Sequence, residues 1–258
     1  MSFSVDLSGK AAIVTGGTRG LGREIVLGLA RAGCDVVISS RKLDACEAMA
    51  GEVEALGRRA LPHACHVAKW DELDALTEAA YAAFGKIDVL VNNAGMSPIA
   101  PSSLETSEAL FDKIVGVNFK GPFRLCALVG SRMAAGDGGS IINVSSIGAL
   151  HPSPWIIPYA GAKSALNTMT VGLAQEFAPK VRVNTISPGG FLTDTSTVWA
   201  TEADAHQTVA LGRWGDPKEF VPTVLYLASD ASSFTNGANI RVDGGAFWHQ
   251  RMTKEGAA

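Results

Sequence analysis

Short apolar runs alternate with longer amphipathic stretches along nearly the whole chain of 258 residues. The apolar runs have the length and composition of buried strands, and they predict strands at residues 11–14, 35–39, 60–67, 88–91, 140–144, 182–187 and 239–242. The stretches between them carry apolar residues at helical spacing and predict helices that pass through Ile25, begin at Asp216, or cover residues 44–56, 71–84 and 107–135. A further helix is predicted to start within residues 153–163 and to run to about residue 178. Because the chain shows no repeat and no linker composition, we expect one α/β domain over residues 1–258.

Composition and charge indicate which classes of binding partner the protein is expected to have. Hydrophobic residues make up 47% of the chain and charged residues 18%, and the mean hydropathy of +0.18 suggests further burial between subunits. The net charge is −3 and like charges form no block, which argues against nucleic acid or an anionic membrane as a partner. No apolar run reaches the ~18 residues needed to span a bilayer, and the first ten residues lack the apolar core of a secretory signal. We therefore expect a cytoplasmic protein.

The cysteines follow no disulfide or metal-ligand spacing, so we expect buried thiols in a reducing compartment at Cys34, Cys46, Cys65 and Cys126. His63, Cys65 and His66 lie close together in the sequence. Along a strand, however, the first two side chains face one way and His66 faces the other. Metal ligands have to converge on one point, so we expect no metal site there.

The first predicted strand runs into a glycine-rich turn, residues 15–22, with the sequence Thr-Gly-Gly-Thr-Arg-Gly-Leu-Gly. Glycine permits a tight turn and lets a phosphate approach the backbone, and the helix N-terminus that follows offers free N–H groups and a favourable dipole. The spacing is Gly-x3-Gly-x-Gly, not the commoner Gly-x-Gly-x-x-Gly. Strand, glycine turn and helix in this order predict a site for the phosphates of a dinucleotide.

The end of the second predicted strand indicates which dinucleotide binds. In a dinucleotide-binding fold this strand end meets the adenosine ribose, where an acidic side chain accepts hydrogen bonds from the 2′-hydroxyl group. Here the chain has Ser40, Arg41 and Lys42 instead, and Arg19 lies in the glycine turn. Arg19 and Arg41 can hold a 2′-phosphate with charge-assisted hydrogen bonds. The alternative is a pair of solvated surface arginines, and we favour NADP(H) over NAD(H).

Tyr159 and Lys163 are four residues apart and share one face of a predicted helix. A phenol titrates near pH ~10, and a cation one turn away favours the phenolate and lowers its pKa. The pair is therefore a candidate general acid and base. The alternative is a surface lysine that lies over an aromatic ring. Ser145 and Ser146 follow the fifth predicted strand, at the carboxyl end where an open α/β sheet binds its ligands.

Three further segments carry polar groups or lack periodicity. Asn92 and Asn93 end the fourth strand, where paired amides can satisfy neighbouring backbone groups or simply form a turn. Asn118 lies within the long predicted helix, where a polar amide invites a kink or a bridging water, and its spacing does not decide whether it is functional. Residues 188–215 lack clear periodicity, which is typical of a substrate lid or a disordered segment.

Taken together, these motifs resemble the single-domain branch of the short-chain dehydrogenase/reductase family, and the resemblance covers residues 10–245. It is carried by Thr15, Gly16, Gly20, Gly22, Asn92 to Gly95, Asn118, Ser146, Tyr159, Lys163, Pro188, Gly189 and Thr193. The resemblance implies a single Rossmann-type three-layer domain, with a seven-stranded parallel sheet flanked by helices, and a homotetramer. It also implies the interconversion of a ketone and a secondary alcohol by hydride transfer.

The resemblance assigns roles to a catalytic tetrad of Asn118, Ser146, Tyr159 and Lys163. Tyr159 exchanges the proton with the carbonyl oxygen, and Lys163 lowers its pKa and holds the nicotinamide ribose. Ser146, chosen over Ser145 because it precedes Tyr159 by thirteen residues, hydrogen-bonds the substrate oxygen. Asn118 holds a water linked to Lys163.

The residues that the resemblance assigns to the cofactor lie at the ends of several predicted strands. The Phe191 backbone and Thr193 are assigned to the nicotinamide carboxamide. The full implied set is Thr15, Gly16, Thr18, Arg19, Gly20, Leu21, Gly22, Ser40, Arg41, His66, Val67, Asn93, Ala94, Gly95, Tyr159, Lys163, Pro188, Gly189, Phe191 and Thr193. His66 replaces the aspartate that usually contacts adenine. Since a neutral imidazole can accept a hydrogen bond, we expect adenine binding to persist with a different pH dependence.

The residues expected to reach the substrate are mostly apolar or aromatic: Met96, Ser97, His151, Trp155, Phe191 and Trp199. Such a set suits a neutral ketone or secondary alcohol, although the same residues could belong to the core or to a subunit contact. A 3-oxoacyl carrier-protein reductase is an alternative, but its acidic carrier prefers a basic face and residues 164–178 contain no Lys or Arg. A nucleotide-bound regulator without catalysis is a second alternative. The presence of all four tetrad residues favours the enzyme.

Overall fold

The computed structural model describes residues 5–193 and 202–248. These residues form a seven-stranded sheet in the order β3-β2-β1-β4-β5-β6-β7, and all neighbouring strands are parallel. The strands are β1 (Ala11–Thr15), β2 (Asp35–Ser40), β3 (Ala60–Ala64), β4 (Val89–Asn92), β5 (Gly139–Val144), β6 (Val181–Pro188) and β7 (Asn239–Val242). The expected seven-stranded parallel sheet is confirmed.

Helices cover both faces of the sheet. They are α1 (Gly20–Arg31), α2 (Leu43–Ala55), α3 (Trp70–Phe84), α4 (Glu108–Val115), α5 (Gly121–Ala135), α6 (Ile157–Glu176), α7 (Glu202–Thr208) and α8 (Val221–Ala228). On β1, Ala12 and Val14 belong to the core shared with α1 and α8, whereas Ala11 and Ile13 belong to the core shared with α3 and α5. A strand buried on both faces has no polar alternation, which explains the continuous apolar runs in the sequence. None of the helices in the described ranges has both the length and the apolarity to cross a membrane.

The strand order reverses direction between β1 and β4, and this reversal opens a crevice. β1 pairs with β2 on one side and with β4 on the other, so the connections after β1 and β4 leave in opposite directions. The glycine turn after β1 and the loop after β4 border this crevice. Asn93 connects them, because its side-chain amide donates to the carbonyl oxygens of Thr15 and Gly16 at 2.9 and 3.1 Å.

The helix expected at residues 107–135 is interrupted by a π-helical turn, Gly116–Lys120, between α4 and α5. Asn118 lies in this turn and is fully buried. A π turn widens the backbone by one residue per turn and is often found at functional sites. The polar amide of Asn118, which invites a kink in a helix, marks the place of the interruption in the sequence.

The end of β3 and the content of residues 188–215 differ from the sequence-based expectation. β3 ends at Ala64, not at residue 67, because the chain turns into α3: the His66 N–H donates to the Glu72 carboxylate at 2.6 Å. Residues 188–215, expected to be irregular, contain α7 and a bridge between Phe191 and Gly215. The described part of that segment is therefore more regular than its sequence pattern indicates.

The helix start expected at Asp216 is confirmed. The Asp216 carboxylate accepts from the Lys218 N–H at 2.9 Å, and Glu219 accepts from the Asp216 N–H at 2.8 Å. This reciprocal arrangement is a capping box that satisfies N–H groups without an intrahelical partner. The capped turn, Pro217–Phe220, is a 3-10 helix that continues directly into α8.

All four cysteines are buried and free. Burial raises the pKa of the Cys34, Cys65 and Cys126 thiols to about 12, because a thiolate is poorly solvated inside a protein. Across residues 5–193 and 202–248, no three His, Cys, Asp or Glu side chains are grouped so that they could hold a metal ion.

Candidate active site

The end of β5 brings Ser146 to Tyr159, which lies in the first turn of α6. The Ser146 hydroxyl accepts from the Gly148 N–H at 3.0 Å, and a Cβ atom on Gly148 would lie 3.3 Å from that hydroxyl and 3.9 Å from the Tyr159 ring, so the two residues are neighbours. Ser145 points elsewhere: it is buried, and its hydroxyl donates to the backbone carbonyl of Lys163 at 3.4 Å. Of the two serines, Ser146 is therefore the one that can meet a substrate next to Tyr159.

Lys163 is almost completely buried, with 3% of its surface exposed. Its ammonium donates to the carbonyl oxygen of Val144 at 2.7 Å and lies 5.9 Å from the centre of the Tyr159 ring. Burial lowers the pKa of Lys163 from 10.5 to about 7, because the charged form loses its hydration and gains no carboxylate partner. The sequence gives no signal for the Val144 carbonyl, since a backbone group is present at every position.

The pKa of Tyr159 is raised above the ordinary value of 10.0, which differs from the expected lowering by Lys163. The main cause is burial, which disfavours the phenolate, and the hydrogen bond with Ser146 offsets part of it. Lys163 does not reverse the effect of burial in this structure, because its ammonium lies over the ring side at 5.9 Å from the ring centre. Any further lowering of the phenol pKa has to come from a bound cofactor or substrate.

Asn118 holds the loop after β4 with its side chain. Its amide nitrogen donates to the Met96 carbonyl at 2.8 Å and to the Ile114 carbonyl at 3.0 Å, and its oxygen accepts from the Met96 N–H at 3.2 Å. A Cβ atom on Gly95 would lie 3.1 Å from the Asn118 oxygen and 3.6 Å from the Lys163 nitrogen. The π turn thus places Asn118 beside both Gly95 and Lys163.

The glycine turn has the geometry of a phosphate cradle. Gly16 and Gly20 adopt φ of +64° and +53°, the left-handed region that favours glycine. A Cβ atom on Gly22 would lie 2.0 Å from the Gly16 carbonyl oxygen, so only glycine fits there. α1 begins after Arg19 without a side-chain cap, so its first N–H groups and its dipole face the crevice. This donor set fits the phosphates of a dinucleotide.

The residues expected at the adenosine ribose surround the end of β2. The Ser40 hydroxyl donates to the Lys42 carbonyl at 3.2 Å. Arg19 and Arg41 are exposed, and among the described residues neither forms an ion pair. Both guanidinium groups therefore remain available to an anion.

His66 differs from the expectation that its imidazole accepts a hydrogen bond from adenine. Its Nδ1 already accepts from the Ala68 N–H at 3.3 Å. A neutral imidazole with an accepting Nδ1 carries its proton on Nε2, which then donates. Towards adenine, His66 can therefore offer a donor where the aspartate of the family offers an acceptor. Val67 follows it and is half-buried.

The loop after β6 closes the other end of the crevice. The Thr193 methyl group lies 3.3 Å from the position that a Cβ atom would occupy on Gly20, so this loop meets the glycine turn. Phe191 is buried and contacts Phe220 edge-on, with ring centres 5.7 Å apart. Its side chain belongs to the core, so it can reach a substrate only through the part of its surface that faces the crevice. Its backbone remains at the crevice, next to half-buried Gly189.

The other residues expected at the substrate lie in three places. Met96 is held by Asn118, and Ser97 beside it is exposed. His151 is exposed and contacts Phe247 edge-on at 6.0 Å. Trp155 is 59% exposed and borders a shallow cleft with Pro98, Leu110 and Ile114. Trp199 lies outside the described residues.

Comparison with known proteins places the chain among dehydrogenases. The family model for short chain dehydrogenases matches residues 10–204. The chain is 40% identical over 248 residues to the 2-dehydro-3-deoxy-D-gluconate 5-dehydrogenase of Pseudoalteromonas atlantica, with 93% of this chain and 96% of that protein covered. It is 35% identical over 244 residues to the Homo sapiens dehydrogenase/reductase SDR family member 4, with 93% and 88% covered.

A solved structure agrees with these sequence matches. The 7α-hydroxysteroid dehydrogenase complexed with NADH and 7-oxo glycochenodeoxycholic acid superposes with a TM-score of 0.89 at 33% identity, with 93% of this chain and 95% of that chain covered. Family, relatives and fold coincide over most of the chain. The protein belongs to the short chain dehydrogenase family, oxidoreductases that act on alcohol or ketone substrates with a nicotinamide cofactor.

Proposed function

We propose that the protein is an NADP(H)-dependent oxidoreductase that interconverts a ketone and a secondary alcohol, with Tyr159 as general acid and base. The observation that carries this proposal is the grouping of Ser146, Tyr159 and buried Lys163 at the carboxyl edge of the sheet. That edge also carries the phosphate cradle. A proton donor and a dinucleotide site on one crevice are what carbonyl reduction requires.

The residues of this chain transfer the proton and bind the carbonyl oxygen of the substrate. When bound, the nicotinamide cofactor supplies the hydride to the carbonyl carbon. Tyr159 gives its phenolic proton to the carbonyl oxygen, and Ser146 holds that oxygen with a hydrogen bond while its charge develops. Lys163 lies close to the ring and, in its protonated form, stabilises the phenolate that remains. In the oxidation of an alcohol the same groups act in reverse, with Tyr159 taking the proton.

The proposal is tested with a panel of ketones and NADPH, followed by the loss of absorbance of the cofactor. The relatives named above act, by their names, on a hydroxyl of a sugar acid and of a steroid, so the panel has to include polar and apolar ketones. Turnover of at least one ketone supports the enzyme. Tight NADPH binding without turnover across the panel would support the regulator without catalysis.

We propose NADP(H) over NAD(H) because exposed Arg19 and Arg41 flank the ribose end of the crevice. We expect Arg41→Ala to weaken NADPH binding about 10- to 100-fold and NADH binding about twofold or less, since hydrogen bonds to charged groups contribute about 1.5–3 kcal/mol each. Titration of protein fluorescence with each cofactor measures both dissociation constants. Arg31→Ala, an exposed arginine in the last turn of α1, is the matched control. Equal losses for NADPH and NADH in Arg41→Ala would show that Arg41 does not meet the 2′-phosphate.

We expect Gly22→Ala to lower NADPH affinity by at least about 100-fold, because close-packed interiors absorb little added volume. The new Cβ would lie 2.0 Å from the Gly16 carbonyl oxygen and 2.5 Å from the Asn93 amide nitrogen. Both atoms belong to the cradle. Gly51→Ala is the control, since a Cβ on Gly51 in α2 meets nothing within 4 Å. Wild-type affinity in Gly22→Ala would contradict a phosphate site at this turn.

A further inference from the structure

A row of buried polar side chains, joined by hydrogen bonds, crosses the sheet beside the candidate active site. On β4, the Asn92 amide donates to Asn143 Oδ1 on β5 at 2.9 Å and to Cys126 Sγ on α5 at 3.1 Å. Asn143 Nδ2 donates to Thr170 Oγ1 on α6 at 2.9 Å, and Thr185 on β6 donates to the same oxygen at 2.9 Å. Each of these five residues, the two asparagines, the two threonines and the cysteine, is at most 3% exposed. The proposed chemistry uses none of them.

The Thr170 hydroxyl is the point where three elements meet. It accepts from Asn143 and Thr185 and donates to the Leu166 carbonyl one turn back at 2.9 Å. One donor and two acceptor positions are the full capacity of a hydroxyl group. Because a buried polar group without a partner is costly, this arrangement strongly favours one position of α6. Hydrogen bonds are also directional, so they oppose sliding of the helix along its axis.

The apolar contacts of α6 are less suited to fix that position. Along the whole of α6, all of which is described, the buried apolar residues are mostly small: Ala160, Ala162, Ala174, and the larger Leu166 and Leu173. Interdigitation of large side chains with small ones defines a unique fit, and a row of alanines offers little of it. The hydrogen bonds of Thr170 with Asn143, Thr185 and Leu166, called the polar junction below, fix the position of α6 that the apolar contacts leave open.

The junction and the candidate active site lie on the same face of α6. Thr170 follows Lys163 by seven residues, which is two helical turns and about 10 Å along the axis. On β5 the two attachment points are consecutive, because Asn143 contacts Thr170 and the Val144 carbonyl contacts Lys163. A shift of α6 at Thr170 therefore changes the distance between Lys163 and β5.

We propose that Asn143 and Thr170 are positioning residues for the catalytic tyrosine. They fix α6 along its axis and thereby hold Tyr159 and Lys163 in register with the end of β5. This inference rests on the proposed function, because it assigns the proton transfer to Tyr159. Catalytic groups need placement to within about 0.5 Å, so a small shift of the helix is enough to reduce turnover.

Thr170→Val tests the proposal, because it keeps the shape of the side chain and removes the hydroxyl. Thr170→Ser keeps the hydroxyl and is the conservative variant. Thr77→Val is the matched control: Thr77 in α3 is also fully buried and also donates to the carbonyl four residues back, that of Leu73, at 2.8 Å. Among the described residues, its hydroxyl has no second side-chain partner.

In Thr170→Val we expect kcat for ketone reduction to fall about tenfold, with KM for NADPH within about twofold of wild type. The pH profile for alcohol oxidation also changes, because it reports the ionisation of the Tyr159 and Lys163 pair and the variant moves Lys163 relative to β5. Thr170→Ser and Thr77→Val retain the wild-type kcat and profile. If Thr170→Val and Thr77→Val match in both quantities, the positioning role is refuted.

Hydrogen exchange followed by mass spectrometry gives an answer that does not depend on turnover. Peptides covering residues 157–166 exchange faster in Thr170→Val than in wild type, and they are unchanged in Thr77→Val, if the junction positions α6. Equal exchange in all three proteins overturns the proposal. Absence of turnover that depends on Tyr159 in the wild type refutes the proposed function instead, and the exchange data still decide the role of Thr170.

Discussion

Tyr159→Phe is expected to lower kcat for ketone reduction by a factor of about 10²–10⁴, because a positioned general acid contributes a rate enhancement of that size. The phenyl ring fills the same half-buried place and keeps the contact with Lys163. The dissociation constant of NADPH therefore stays within about threefold of wild type. Steady-state kinetics with an active ketone, together with fluorescence titration, measures both quantities.

Tyr226→Phe is the matched control for this substitution. Tyr226 lies on α8, its phenol shares a hydrogen bond of 2.7 Å with Thr235, and neither residue belongs to the candidate active site. Its loss removes one part-buried hydrogen bond and leaves kcat unchanged. If Tyr159→Phe retained more than about a tenth of the wild-type kcat, the proton would have to come from another group.

Lys163→Met is expected to remove activity and to remove a pH dependence of stability that Lys163 causes in the wild type. Burial lowers the pKa of Lys163 from 10.5 to about 7 in the folded protein. Between these two values the unfolded chain binds more protons than the folded one, so the stability of the wild type rises with pH. The buried charge costs about 5 kcal/mol below pH 7, and this cost disappears progressively towards pH 10.5.

The comparison is therefore made at two pH values. Relative to Lys163→Met, the free energy of unfolding of the wild type rises by about 3 kcal/mol between pH 6 and pH 9. Urea unfolding curves at both values give this difference. Lys180→Met is the control, since Lys180 also donates to a backbone carbonyl, that of Gly136 at 2.9 Å, but is exposed. A pH-independent difference between wild type and Lys163→Met would mean that Lys163 is hydrated in the folded protein.

The fold could be predicted from the sequence because burial on both faces of a parallel sheet leaves a plain signal. β1 is apolar at Ala12 and Val14 towards one core and at Ala11 and Ile13 towards the other, so its run has no polar break. The glycine turn and the shared face of Tyr159 and Lys163 are likewise local patterns, fixed by residue type and helical period. Local patterns of this kind locate elements and name candidate residues.

The remaining properties of the site depend on contacts between distant segments. The pKa of Tyr159 is set by burial, which the assembled fold alone determines, and it is raised where the spacing to Lys163 indicated a lowering. The accepting Nδ1 of His66 depends on the turn into α3. The junction at Thr170 left one trace in the sequence: Asn143 is a polar residue within an apolar strand, but its partner on α6 is 27 positions away.

Burial makes three thiols of the folded protein, those of Cys34, Cys65 and Cys126, unreactive. Burial raises the pKa of the Cys34, Cys65 and Cys126 thiols, so they stay protonated at neutral pH, and none of the three is accessible. Alkylating reagents and oxidants therefore meet these sulfur atoms only when the sheet and its covering helices separate. Since the three residues lie on both faces of the sheet, the rate of their modification reports how often each layer opens.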